Sequence, residues 1–331
     1  MKLPKRPAMV REAAEKGGQK WYLEILIFLG VFAVATAVES IPSFFMEFIR
    51  VLQTGEIFPE TIPEWYMVIS LFSTGLMTLA VILFCRWVQK RNVRSLGFRR
   101  EGAVTEYVVG ALAGATLFGG AMLICVLTRS VKLTTQTFSV GLWLLYLIGF
   151  LIQGMSEEVL CRGYFMVSIA RKNHLALAVF LSSLAFSLLH IANSGVTVLA
   201  LFNIFLFGVL TALYVLRRGN LWGVCAMHSL WNFVQGNVFG VSVSGTGSGA
   251  SPLTAELTEQ GKLWNGGSFG AEGGLAVTIM LTIGILMIIF VMKDHKESVS
   301  PIATALEIIP QNAEEIDKKD DTSGDYDPFS D

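Results

Sequence analysis

The chain has 331 residues, 53% of them hydrophobic and only 15% charged, with a net charge of -1 and a mean hydropathy of +0.58. Those values fall outside the range of soluble domains and mark a chain solvated chiefly by lipid. Its four cysteines, Cys85, Cys125, Cys161 and Cys225, stand singly in apolar stretches without CxxC spacing, which excludes a disulfide framework or a thiolate metal cluster.

A helix needs about 20 apolar residues to cross the hydrocarbon core. Eight segments meet that need: 22–39, 66–86, 107–127, 141–160, 175–192, 195–216, 221–240 and 274–292. The expected fold is all-α, a polytopic membrane bundle of about eight transmembrane helices, in which the fifth and seventh segments are the most polar. It is flanked by a basic N-terminus over 1–20 and a tail over 293–331.

Met1 to Lys20 reads as a topology anchor, with a short helix on anionic lipid as the alternative. The first apolar segment is too long for a signal-peptide core and lacks a small-residue cleavage site, so it is expected to stay as a helix. The loop from Arg86 to Arg100 is a basic connector lying against headgroups. Its aromatics are not arrayed for stacking on bases, so no nucleic-acid partner is expected. Of the 25 Lys and Arg residues, 21 fall on one side of this plan, which predicts both termini in the cytoplasm.

Gly240 to Gly274, rich in Gly, Ser and Thr, is the longest loop expected on the opposite face. It reads as a lid or substrate rim, with Trp264 and Phe269 available to dip into the interface. From Lys293 the tail carries four basic and eleven acidic residues, a net charge of -7, and reads as a disordered cytosolic segment. No fixed-period repeat or pair of inverted halves is visible, which disfavours a transporter built on internal symmetry.

Within the apolar segments a few polar residues recur at one-turn spacing. Glu158 and Arg162 are four apart with the acid leading, the better order for an ion pair on one face, and Glu157 points about 100° away from them. Phe186 and His190 share a face, as do His228 and Asn232. Counted from the turn at Lys172 and Asn173, Glu157 and His190 lie at matching heights, about 22 to 26 Å along their helices. His228 and Asn232 lie about 12 and 18 Å from the turn at Gly219 and Asn220, so convergence requires tilt or a helix that starts deeper.

Singly, each of these residues reads as glue between helices or a member of a proton relay. Together they suggest a site: Glu157 as general base on a water that His190 shares or orients, and His228 with Asn232 as donors to an oxyanion. A zinc ion on Glu157, His190 and His228 is the alternative, although HExxH is absent. Ser187 and Ser229 point to other faces than the histidines, which disfavours a serine nucleophile.

The motifs Glu157-Glu158-xxx-Arg162, Phe186-xxx-His190 and His228-xxx-Asn232, in this order on successive segments, resemble the CAAX prenyl endopeptidase and bacteriocin-processing or immunity family. The resemblance covers about 140–240, and the run Gly266 to Gly274 resembles a loop of bacterial members. It implies an intramembrane endopeptidase whose active site is Glu157, His190, His228 and Asn232, with Glu158, Arg162 and Phe186 in support. A peptide or protein substrate and the lipid bilayer are the expected partners. The short loops suggest bacterial peptide maturation or bacteriocin self-immunity. A non-enzymatic scaffold that binds a peptide and a proton-coupled transporter are the rival readings.

Overall fold

The computed structural model describes residues 6–55, 64–172, 174–247 and 249–293, all within one compact unit. Asn173, and the acidic tail beyond Lys293, lie outside the described residues. In lipid every backbone polar group must be satisfied within the chain, so the apolar segments form helices. In order they are α1 (Ala8–Ala14), α2 (Trp21–Thr54), α3 (Glu64–Trp87), α4 (Ala103–Leu127), α5 (Val140–Glu158), α6 (Val167–Ala170), α7 (Leu175–Leu188), α8 (Val198–Arg218), α9 (Trp222–Asn237), α10 (Lys262–Asn265) and α11 (Leu275–Phe290). A π-helical segment, Val159–Met166, joins α5 to α6 without a break. Among the described residues five stretches are long and apolar enough to span a membrane: α2, α3, α4, the run from α5 through α6, and α8.

The remaining three expected spans contain shorter helices, α7, α9 and α11, of 14, 16 and 16 residues. Helix α2 departs in the other direction. It continues to Thr54 through Pro42, far beyond residue 39. A proline deletes one backbone donor, but apolar residues on both sides keep helix the best way to satisfy the rest.

Neighbouring helices follow the order α2, α3, α5, α9, α4, α11, α8, α7, and α7 closes onto the π segment. Helix α9 therefore lies inside the bundle, and its polar residues must find partners on other helices. Glycines set how closely those helices approach. A Cβ on Gly114 of α4 would lie 2.1 Å from the Met227 carbonyl oxygen of α9, and one on Gly154 of α5 would lie 2.6 Å from the Ser229 nitrogen.

At the basic end of the bundle the N-terminal segment is more than an anchor. Met9, Val10 and Ala13 of α1 are buried, Arg171 pairs with Glu24 at 2.7 Å, and α1 packs on a short 3-10 turn, Val93–Leu96. The Leu221 N–H donates to the Gly97 carbonyl at 2.9 Å, and Asn220 and Leu221 are buried. The start of α9 is thus enclosed by protein.

The opposite end holds two short strands that the helical pattern did not reveal. They are β1 (Val131–Thr135) and β2 (Leu253–Leu257), antiparallel, with Val131 opposite Leu257 and Thr135 opposite Leu253. The long loop is folded onto the bundle. Phe269, expected at the interface, is fully buried instead, because the loop turns back beneath it: the Asn203 side chain donates to the carbonyls of Glu272 and Gly274 at 2.7 and 2.9 Å.

Candidate active site

Helix α5 contributes Gln153, Glu157 and Glu158. Gln153 and Glu157 share a face one turn apart, and the Gln153 amide donates to Glu157 Oε1 at 2.6 Å. Glu158 faces inward and is fully buried with Arg162, which donates to its Oε1 at 3.1 Å. The guanidinium of Arg162 also lies 4.3 Å from the centre of the Phe186 ring, a cation–π contact made inside the protein, where solvent does not weaken it.

The same Glu158 oxygen lies 3.0 Å from Nδ1 of His228, so a proton on Nδ1 is donated to the carboxylate. On the other side of that ring, Nε2 stands 3.8 Å from Glu157 Oε2, beyond direct hydrogen-bond range and within reach of a shared water. Gly154 makes this meeting attainable: it lets α5 touch α9 at Ser229, one residue past His228. Four residues further along α9, the Asn232 amide donates to Gln153 Oε1 at 2.9 Å.

His190 lies just beyond the end of α7, in the turn that follows it. Its Nδ1 is 2.8 Å from the Phe186 carbonyl oxygen. A carbonyl only accepts, so Nδ1 carries the proton and the Nε2 of the neutral ring is left as an acceptor. The Phe186 ring packs edge-on to both imidazoles, at 5.0 Å from His190 and 5.8 Å from His228. Glu157, His190, His228 and Asn232 all line one cavity of about 180 Å³, together with Gln153, Asn193 and Ser244.

Residues 137–234 match the family model of type II CAAX prenyl endopeptidase, Rce1-like proteins. Over this stretch, less than a third of the chain, the sequence is similar to an Rce1-like domain. No curated protein and no solved structure shows significant similarity to the chain. The Rce1-like domain runs from just before α5 into α9, so it contains the acids, both histidines and Asn232, while α2 and the long loop stand outside it. The matched family is one of proteases.

Among the polar residues lining this cavity, Gln153, Asn193 and Ser244 were not anticipated from sequence. Gln153 stands one turn before Glu157 in an otherwise apolar stretch, a signal that sequence alone could have supplied. Asn193 and Ser244 are brought together across the chain: the Asn193 amide donates to the Ser244 carbonyl at 2.8 Å, and Glu272 accepts from the Ser244 N–H and hydroxyl at 2.7 and 2.8 Å. Loop residues with distant partners carry no local pattern that marks them.

The zinc alternative does not fit this domain as it is built. Among the described residues no group of three or more His, Cys, Asp or Glu side chains is spaced to hold a metal ion. Glu158 and the Phe186 carbonyl occupy only one nitrogen on each imidazole and Gln153 one oxygen of Glu157, so it is the spacing of the three groups, not their hydrogen bonds, that does not suit an ion. Of the other nucleophiles, Ser187 donates to the Leu201 carbonyl at 2.7 Å, Ser229 lies 3.5 Å from the Leu151 carbonyl, and all four cysteines are buried and free.

Proposed function

We propose that the protein is an intramembrane endopeptidase in which Glu157 activates a water for attack on a peptide carbonyl. The observation that carries this reading is the 3.8 Å gap between Glu157 Oε2 and His228 Nε2 on the wall of a polar cavity. Gln153 holds Oε1, which leaves Oε2 as the base. His190 Nε2 accepts a second hydrogen bond from the same water and so orients it.

Glu157 takes one proton as the water oxygen bonds to the carbonyl carbon. The oxyanion that forms receives hydrogen bonds from Nε2–H of His228, which acts here as an imidazolium whose Nδ1–H is held by Glu158, and from the second amide hydrogen of Asn232, whose first is held by Gln153. Glu157 then returns its proton to the leaving nitrogen as the C–N bond breaks, giving a free amine and a carboxylic acid. Glu158 and Arg162 touch neither substrate nor water in this scheme. They fix the plane of His228.

The basic end of the bundle faces the cytoplasm in this reading, and both termini lie there. The role is peptide maturation or bacteriocin self-immunity, supported by the short loops and the glycine-rich run before α11.

The test compares full-length wild-type and Glu157→Gln protein in cells, with the ends of accumulated peptides read by mass spectrometry. New peptide ends present with wild type and lost with the variant, at equal expression and thermal stability, support hydrolysis. A cellular phenotype that survives the substitution, with identical peptide ends, identifies a binding scaffold instead.

A further inference from the structure

A second cavity, of about 240 Å³, meets the first at Glu157, His190 and Asn193. Its outer wall is α2, through Phe32, Thr36 and Glu39, and its inner wall includes Leu160 and Phe186. Glu39 lies 18 residues into α2, about 27 Å along the helix, in an apolar span where an unpaired carboxylate is disfavoured.

Other acids on these helices are paired with arginine: Glu24 with Arg171, Glu47 with Arg50, Glu106 with Arg218 and Glu158 with Arg162. Glu39 has neither an ion pair nor a side-chain hydrogen bond among the described residues, and the charge acting on it is the like charge of Glu157. Its position in a cavity leaves room for a cation to come from outside the chain. Thr36, three residues earlier on the same helix and lining the same cavity, offers a hydroxyl to such a group.

We propose that Glu39 recognises substrate: the second cavity receives a lysine or arginine side chain lying within a few residues of the peptide bond held at Glu157. The position of that bond rests on the hydrolase reading; the cation site does not. The enzyme then selects membrane-inserted peptides that carry a basic residue beside the cut, because only those neutralise Glu39 on binding.

The experiment uses full-length protein in nanodiscs and two fluorescent 14-residue leucine- and alanine-rich peptides, identical except for a central lysine or norleucine. Binding is measured on Glu157→Gln protein, where turnover is not needed, and cleavage on protein with Glu157 intact. We expect the lysine peptide to bind about 10- to 100-fold more tightly, as for a hydrogen bond to a charged group. Glu39→Gln, which keeps size and shape, brings the ratio to about one, and Glu39→Lys reverses it toward a peptide with central glutamate.

Equal binding of the two peptides to protein carrying Glu39, or a lysine preference that persists in Glu39→Gln, overturns the proposal. A Glu39-dependent lysine preference without cleavage by the intact protein keeps the cation site and removes the hydrolase reading. Cleavage without any charge preference does the reverse.

Discussion

Along α2 only Glu24, Phe28 and Ala35 are buried in 34 residues, whereas 13 of the 16 residues of α9 are buried, His228 and Asn232 among them. Helix α2 leaves most of its residues unburied, and α9 is enclosed by α4, α5 and α8. A polar side chain on α9 can be held by protein on every side, so it can be oriented to a fraction of an ångström. Glu39 on α2 is held by little. The contrast assigns orientation-sensitive chemistry to the inner seam between α5 and α9, and recognition of an incoming group to the outer wall.

Substitutions on the seam should therefore be costly and those on the outer face mild. The largest effect is expected from Glu157→Gln, which removes the base while keeping its hydrogen bond to Gln153; turnover should fall about 100- to 10,000-fold with thermal stability unchanged. Next comes Glu158→Gln, which leaves Arg162 buried without its counter-charge and should lower unfolding stability by about 3 to 5 kcal/mol. That variant also loosens His228, so protein rescued at low temperature should still turn over more slowly than wild type.

Gly154→Leu forces α5 from α9 where a Cβ already meets Ser229 at 2.6 Å. Overpacking of this kind costs about 1 to 3 kcal/mol, and thermal melting of the purified protein reads it directly. At the other extreme Val34, 63% exposed on α2, should tolerate alanine within about 0.5 kcal/mol. If Val34→Ala and Gly154→Leu proved equally damaging, the division between seam and outer wall would be wrong.

The sequence showed the helices and the three polar pairs because both are local patterns: apolar length for the first, one-turn spacing for the second. It did not show what depends on contacts between distant residues. Glu158 was expected to pair with Arg162 alone, yet it also holds His228 across 70 residues. Asn232 was assigned to an oxyanion, and one of its two amide hydrogens belongs to Gln153. The first apolar segment was bounded at residue 39, and α2 continues through Pro42 to Thr54. The burial of Met9 in α1 depends on a loop more than 80 residues away, which no pattern within the first 20 residues could reveal.

The π-helical segment from Val159 to Met166 follows Glu158 directly. Its backbone closes each turn with one residue more than an α-helix does, so it acts as a fixed phase offset between the two acids and everything downstream in the same rod. Rewinding the same residues as an ordinary α-helix would swing Glu157 and Glu158 by roughly 100° relative to Arg171 and α7. Because Arg162 in this stretch holds Glu158 and all eight of its residues are buried, a substitution scan should find 159–166 less forgiving than any equal stretch of α2.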